Sequence, residues 1–143
     1  PLGDLSVEDR WIYLYVVFER IYAFRFFYQN QRDILQRVPA LAARFKRLVN
    51  RKFRNAVALV TALRSAGVLC IGDDEIGIAS ENMVLLQTHW LTHVLVRADD
   101  LSESVILHRG VFQLFSMLVP YLSEEYAGLY DDLKRIYHAN VDT

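Results

Sequence analysis

Apolar residues recur with a helical period along nearly the whole chain. From Ser6 to Tyr28, Trp11, Tyr15, Phe18 and Tyr22 fall on one stripe, with Leu14 and Ile21 beside it. Tyr13, Val17, Phe24 and Phe27 form a second apolar face, and a helix apolar on two faces belongs in the middle of its domain. Ser6 is a good N-cap, with Asp9 three residues on as a capping-box partner. Asn30 reads as the cap of a short turn through Arg37, broken by Val38-Pro39 because proline is tolerated only in a first helical turn. The second helix runs from about Pro39 to Ala66 and stops at Gly67, a plausible C′ glycine. Leu41, Phe45, Leu48, Val49, Ala56, Leu59, Val60 and Leu63 form its buried stripe. Asp73-Asp74-Glu75 then signals the start of a third helix, about Glu75 to Ala98. A fourth opens with Asp100 as N-cap and Glu103 at N3 and ends near Val119, before Pro120. A fifth spans about Ser123 to His138. The pattern predicts an all-α bundle of five helices and one short turn, with residues 1–143 in a single domain.

Composition narrows the class. The chain has 143 residues, 53% hydrophobic and 23% charged, with a net charge of −1, which excludes a disordered segment. One cysteine, Cys70, excludes an intrachain disulfide framework and a cysteine-based zinc site. The longest apolar run, Trp11 to Phe18, is far short of the roughly 18 residues a membrane span needs. Pro1-Leu2-Gly3-Asp4 lacks the basic and apolar regions of a secretory signal, so a cytoplasmic location is expected. The missing initiator methionine reads as a fragment or a processed chain.

Charge is unevenly placed. Residues 1–70 carry 12 Lys/Arg against 5 Asp/Glu, and residues 71–143 carry 4 against 12. Arg44, Arg47, Arg51 and Arg54 share one face of the second helix. They read as a solvated face rather than a DNA site, because that helix also carries a long buried stripe.

No phosphate loop, nucleophile elbow or zinc-protease motif is present, so no enzyme, catalytic residue or cofactor is expected. His89 and His93 stand four apart, but a catalytic zinc needs three protein ligands and no third is evident, so no metal is expected either. Three features carry more information. The aromatic stripe Trp11, Tyr15, Phe18 and Tyr22 is either core or the wall of an apolar ligand cavity. Lys52 falls inside the apolar stripe between Leu48, Val49, Ala56 and Leu59. A buried ammonium is costly, so it snorkels outward, pairs with an acid such as Asp33 or Glu81, or meets an anionic ligand. Asn82, His89 and His93 form a polar line on the otherwise apolar third helix, and buried polar groups need partners. Trp11, Tyr15, Phe18, Tyr22, Lys52, Asn82 and Trp90 are the candidate ligand-binding residues.

The third and fourth helices are each apolar on two sides. One side packs on its own domain and the other needs a second surface, which a symmetric homodimer supplies. Leu91, Leu95, Val105, His108, Phe112, Phe115 and Val119 are the candidate interface residues.

With two-sided helices ending an all-helical domain, the sequence resembles the C-terminal regulatory domain of tetracycline-repressor (TetR) type transcriptional regulators. The matching stretches are Leu5 to Leu14, Arg25-Phe26-Phe27-Tyr28, Pro39 to Phe45, Ala66-Gly67-Val68-Leu69, the Trp90 helix and Arg109-Gly110-Val111-Phe112-Gln113. The resemblance implies a domain that binds a small apolar or amphipathic effector and dimerises. It further implies that operator DNA binding, repression and relief by the effector depend on an N-terminal helix-turn-helix absent from this chain. A helical scaffold with a filled core and no ligand is the alternative. A continuous cavity bounded by the first three helices separates the two.

Overall fold

The computed structural model describes residues 6–97 and 100–141. Among them the chain forms seven α-helices and no β-strand: α1 (Val7–Ala23), α2 (Arg25–Gln29), α3 (Gln31–Arg37), α4 (Pro39–Ser65), α5 (Asp73–Arg97), α6 (Glu103–Ser116) and α7 (Ala127–Val141). The all-α architecture agrees with the periodicity. The capping box at Ser6 forms, with the Asp9 amide donating to Ser6 Oγ at 3.1 Å and the Ser6 amide to Asp9 Oδ2 at 3.3 Å.

Five expected helices become seven because the first one breaks and the short turn is itself helical. At Phe24 the backbone leaves helical geometry (φ −99°, ψ 25°). The kink sends α2 against α5, where Tyr28 is buried. Pro39 opens α4 in the tolerated first-turn position. At its other end Gly67 adopts φ 76°, the left-handed conformation that favours glycine. The Val68 amide then donates to the Leu63 carbonyl and the Gly67 amide to that of Arg64, both at 2.9 Å, a Schellman stop.

The expected cap of α6 is corrected. Ser102, not Asp100, holds the extended conformation, and its Oγ accepts from the Val105 amide at 3.4 Å. The helix therefore starts after Asp100 and ends at Ser116, ahead of the 3-10 turn Val119–Tyr121 that holds Pro120.

The core sits where α1, α5 and α6 meet. Phe18 and Trp90 are 0% and 2% exposed, and their rings pack edge to face at 4.8 Å. Gly110 of α6 permits that approach, since a Cβ there would lie 2.6 Å from the Phe18 ring and 2.7 Å from that of Trp90. On the flanks, α4 packs on α5 and α7 on α6. The two long connections are tied together. Cys70 donates its amide to the Tyr121 carbonyl at 2.7 Å, and Ser123 donates its amide to Val68 and its hydroxyl to Gly67.

Candidate ligand pocket

Because α1 leans on α6 and α5, while α4 leans on α5, a cleft is left between α1 and α4. It holds a cavity of about 550 Å³, within the range of small-molecule sites. One wall is the Tyr13, Val17 and Phe24 face of α1, and the other is α4 from Leu48 to Leu59. Tyr28 of α2 lies at one end, and Met83 and Gln87 of α5 line the cavity as well. Val16, Phe24 and Leu48 line it while keeping substantial exposure, so apolar surface reaches solvent at the cleft.

Its charge is of one sign. Arg20, Arg51 and Lys52 line it, and among the described residues no carboxylate does. Lys52 is partly buried, donates to the Tyr28 hydroxyl at 3.2 Å, and sits 5.4 Å from the centre of the same ring. Burial lowers its pKa from 10.5 to about 8, because an ammonium loses hydration there. The same desolvation pushes the Tyr28 phenol up. Asp33, a candidate partner by sequence, is instead paired with Arg37 at 2.8 Å, and Glu81 is exposed on α5. Gln87 is 8% exposed and its amide has no hydrogen bond among the described residues. That amide is free to meet a polar ligand atom at the cavity wall.

Of the candidate lining residues the structure brings Lys52 to the cavity and directs others elsewhere. Phe18 and Trp90 belong to the core, sealed against Gly110. Tyr15 packs edge to face on His108 of α6, at 5.2 Å. Tyr22 lies under the Arg25 guanidinium and outside the lining. Asn82 is exposed on α5. The Trp11 side chain lies outside the described residues. The physical reason is rotational: the aromatic stripe of α1 turns to α5 and α6, and its second apolar face turns to α4. Gln87 was missed by sequence reasoning, although its position one turn after Met83 and one before Leu91 carries the same off-pattern signal as Lys52. Arg20 and Tyr28 carried no such signal.

The candidate interface residues divide too. Leu91 is 1% exposed within the chain, so it is closed to a partner. Phe112 stacks on Tyr137 of α7 at 4.4 Å, which fills much of the second face of α6 from within the chain. Leu95, Val105, His108, Phe115 and Val119 are half-buried. On α5 the outward apolar side chains are Ile78, Leu85 and Val96, which align within about 20° by the 3.6-residue period. His89 and His93 are exposed on the same helix, and among the described residues no group of three metal-ligating side chains occurs. Arg44, Arg47, Arg51 and Arg54 are all exposed on α4, and Arg51 also lines the cavity. Among the described residues no helix is long and apolar enough to cross a membrane.

Comparison with known proteins places this arrangement. The crystal structure of a TetR-family transcriptional regulator from Marinobacter aquaeolei VT8 is similar, with a TM-score of 0.81 and 25% sequence identity. The match covers 93% of this chain and 64% of that one, so this chain spans less than two-thirds of that regulator. No curated protein matches the chain. The family model for TetR, described as bacterial transcriptional repressor, matches residues 1–130. The chain therefore belongs to the TetR family of bacterial transcriptional regulators.

Proposed function

We propose that this chain is an effector-binding and homodimerising regulatory domain, and that its effector is an amphipathic anion. Effector binding relieves operator binding by the helix-turn-helix to which the domain is coupled, which makes the regulator a repressor. The observation that carries the ligand class is the cavity of about 550 Å³ lined by Lys52, Arg51 and Arg20 with no carboxylate among the described residues. Its remaining lining is mostly apolar, so a ligand that matches it has one anionic head and an apolar body. The unpartnered Gln87 amide supplies a hydrogen bond for the head or a polar atom beside it. The alternative, a scaffold with a filled core, is disfavoured by the same cavity.

Replacing Lys52 with Met keeps the bulk of the stem and removes the charge. Titration calorimetry with octanoate and with octanol tests the function. Lys52→Met is expected to weaken octanoate by about 2–5 kcal/mol, the cost of removing one partner of a buried charge pair, and to leave octanol unchanged or improved. Equal effects on both ligands would show that Lys52 does not select an anion. Homodimerisation is proposed through the outward stripe of α5, Ile78, Leu85 and Val96, continued by the half-buried face of α6.

A further inference from the structure

A second chamber lies behind the first. It occupies about 290 Å³ between α1, α4, α6 and α7, and Leu63, Leu114, Leu118, Leu129 and Leu133 are among its lining residues. Among the described residues, Arg10 is its single charged lining residue. It opens to solvent where the exposed Ile12 and Ile136 line it, so it is an apolar groove beside the ligand cavity, and apolar surface gathered in this way marks a binding site. Leu14, Leu59 and Met83 line both chambers. The partition is therefore one side chain thick. All three are unbranched at Cβ, and Met83, with three rotatable side-chain bonds, is the easiest to swing aside.

The chambers are also in line. Lys52, Ala56, Leu59 and Leu63 follow one face of α4, with Lys52 at the Tyr28 end and Leu63 in the second chamber. Eleven residues at about 1.5 Å each separate Lys52 from Leu63 by roughly 16 Å. A saturated chain with bonds of about 1.5 Å and angles near 111° advances about 1.25 Å per carbon, so roughly 13 carbons cover that distance. Charge is graded along the track, with three cations at the α2 end and an almost wholly apolar lining at the far end.

We propose that the two chambers form one binding channel for a linear long-chain amphiphile, its single anionic head at Lys52 and its tail passing Leu14, Leu59 and Met83 into the chamber under α7. The proposal extends the anion-binding function given above to a chain length and a second subsite. It also gives the ligand a contact with α6 and α7, which the first cavity does not touch. Occupying the second chamber moves Met83 and presses on the α6–α7 pair, so tail length, and not only head charge, sets the strength of the response.

The test is a titration series of octanoate, dodecanoate and tetradecanoate, each below its micelle concentration. It is run on the native sequence and on two variants that fill the second chamber from opposite sides, Leu63→Trp and Leu129→Trp. Both positions are half-buried and neither lines the first cavity. With the native sequence, affinity is expected to rise by about two- to fourfold per methylene beyond octanoate, the gain from burying each CH₂. In each tryptophan variant octanoate affinity is expected to hold while the gain with length disappears. A native series that is flat beyond octanoate overturns the channel and leaves the anion cavity standing. A length dependence that survives in a variant whose thermal midpoint shows it folded overturns the channel as well, and if that variant instead loses dimerisation the chamber is a subunit contact. Should no carboxylate bind the native domain, the anion function and the channel both fall. The native series needs no variant, so a tryptophan chain that fails to fold does not shelter the proposal.

Discussion

Lys52 sets stability against function. Its pKa of about 8 in the fold, against an ordinary 10.5, means that folding opposes its charge. Between those two values the unfolded chain binds more protons than the folded one, so stability rises with pH across that window. Below pH 8 the full penalty is present, up to about 3 kcal/mol from the size of the shift. The groups that line the same cavity do not confuse the measurement. Tyr28, whose pKa is raised by burial, contributes with the opposite sign only above about pH 10. Lys52→Met loses the bond to Tyr28, worth about 1 kcal/mol, and escapes the burial cost. It is expected to be more stable than the native chain by about 2 kcal/mol at pH 7, with the difference shrinking as pH rises from 8 towards 10.5. Urea unfolding at pH 7 and pH 9.5 measures both. A destabilised variant at pH 7 would mean that Lys52 serves the fold rather than a ligand.

Helices in this protein are placed by close contacts, and one of them is at Gly110. Three helices converge where Phe18 of α1, Trp90 of α5 and the bare Cα of α6 meet. Alanine at an interior helical position is favoured over glycine by about 1 kcal/mol. Here its methyl would enter both rings at 2.6–2.7 Å, and neither ring has exposed surface to retreat into. Overpacking of this kind costs about 1–3 kcal/mol. Gly110→Ala is expected to lower the thermal midpoint despite its better helix propensity, whereas Gly128→Ala, on α7 with open space around it, is expected to raise it slightly. Calorimetry on the pair separates packing from propensity, and equal gains in both would show that α1, α5 and α6 are not locked at this point.

At the scale of the whole molecule, the fold leaves Ile78, Leu85 and Val96 exposed in a line along a helix whose other side is core. Three large aliphatic side chains aligned with solvent are unfavourable unless covered. The basic half of the chain and the acidic half meet in the ion pair of Arg64 with Asp73 at the α4–α5 turn, and the Arg44, Arg47 and Arg54 face of α4 stays in solvent. A two-fold dimer that covers the α5 stripe is expected to bury more than about 1,200 Å² in total. Sedimentation equilibrium should give a dimer at micromolar concentration, and Leu85→Arg should shift it to monomer without loss of helix content. A native chain that sediments as a monomer would remove the dimer from the proposed function.

What the sequence by itself determined is what neighbours along one helix decide. The helical period, the Ser6 capping box, Pro39 at a helix start and the Gly67 stop depend on residues within one or two turns, and each was legible. So was the anomaly of Lys52, since a charge inside an apolar stripe is a local contradiction. The α5 polar line at Asn82, His89 and His93 was legible as a line, but whether it faced core or solvent was not. Tertiary structure alone decided which apolar face of α1 would meet the cavity, because both faces are apolar enough for the core and the choice depends on which one fits α5 and α6. It placed Phe18 and Trp90 against Gly110, a contact between residues far apart in the chain. It also opened the cleft between α1 and α4, because two helices that each pack on α5 need not touch one another. Periodicity reports which sides of a helix avoid water, and only the assembled helices decide where the space between them is left.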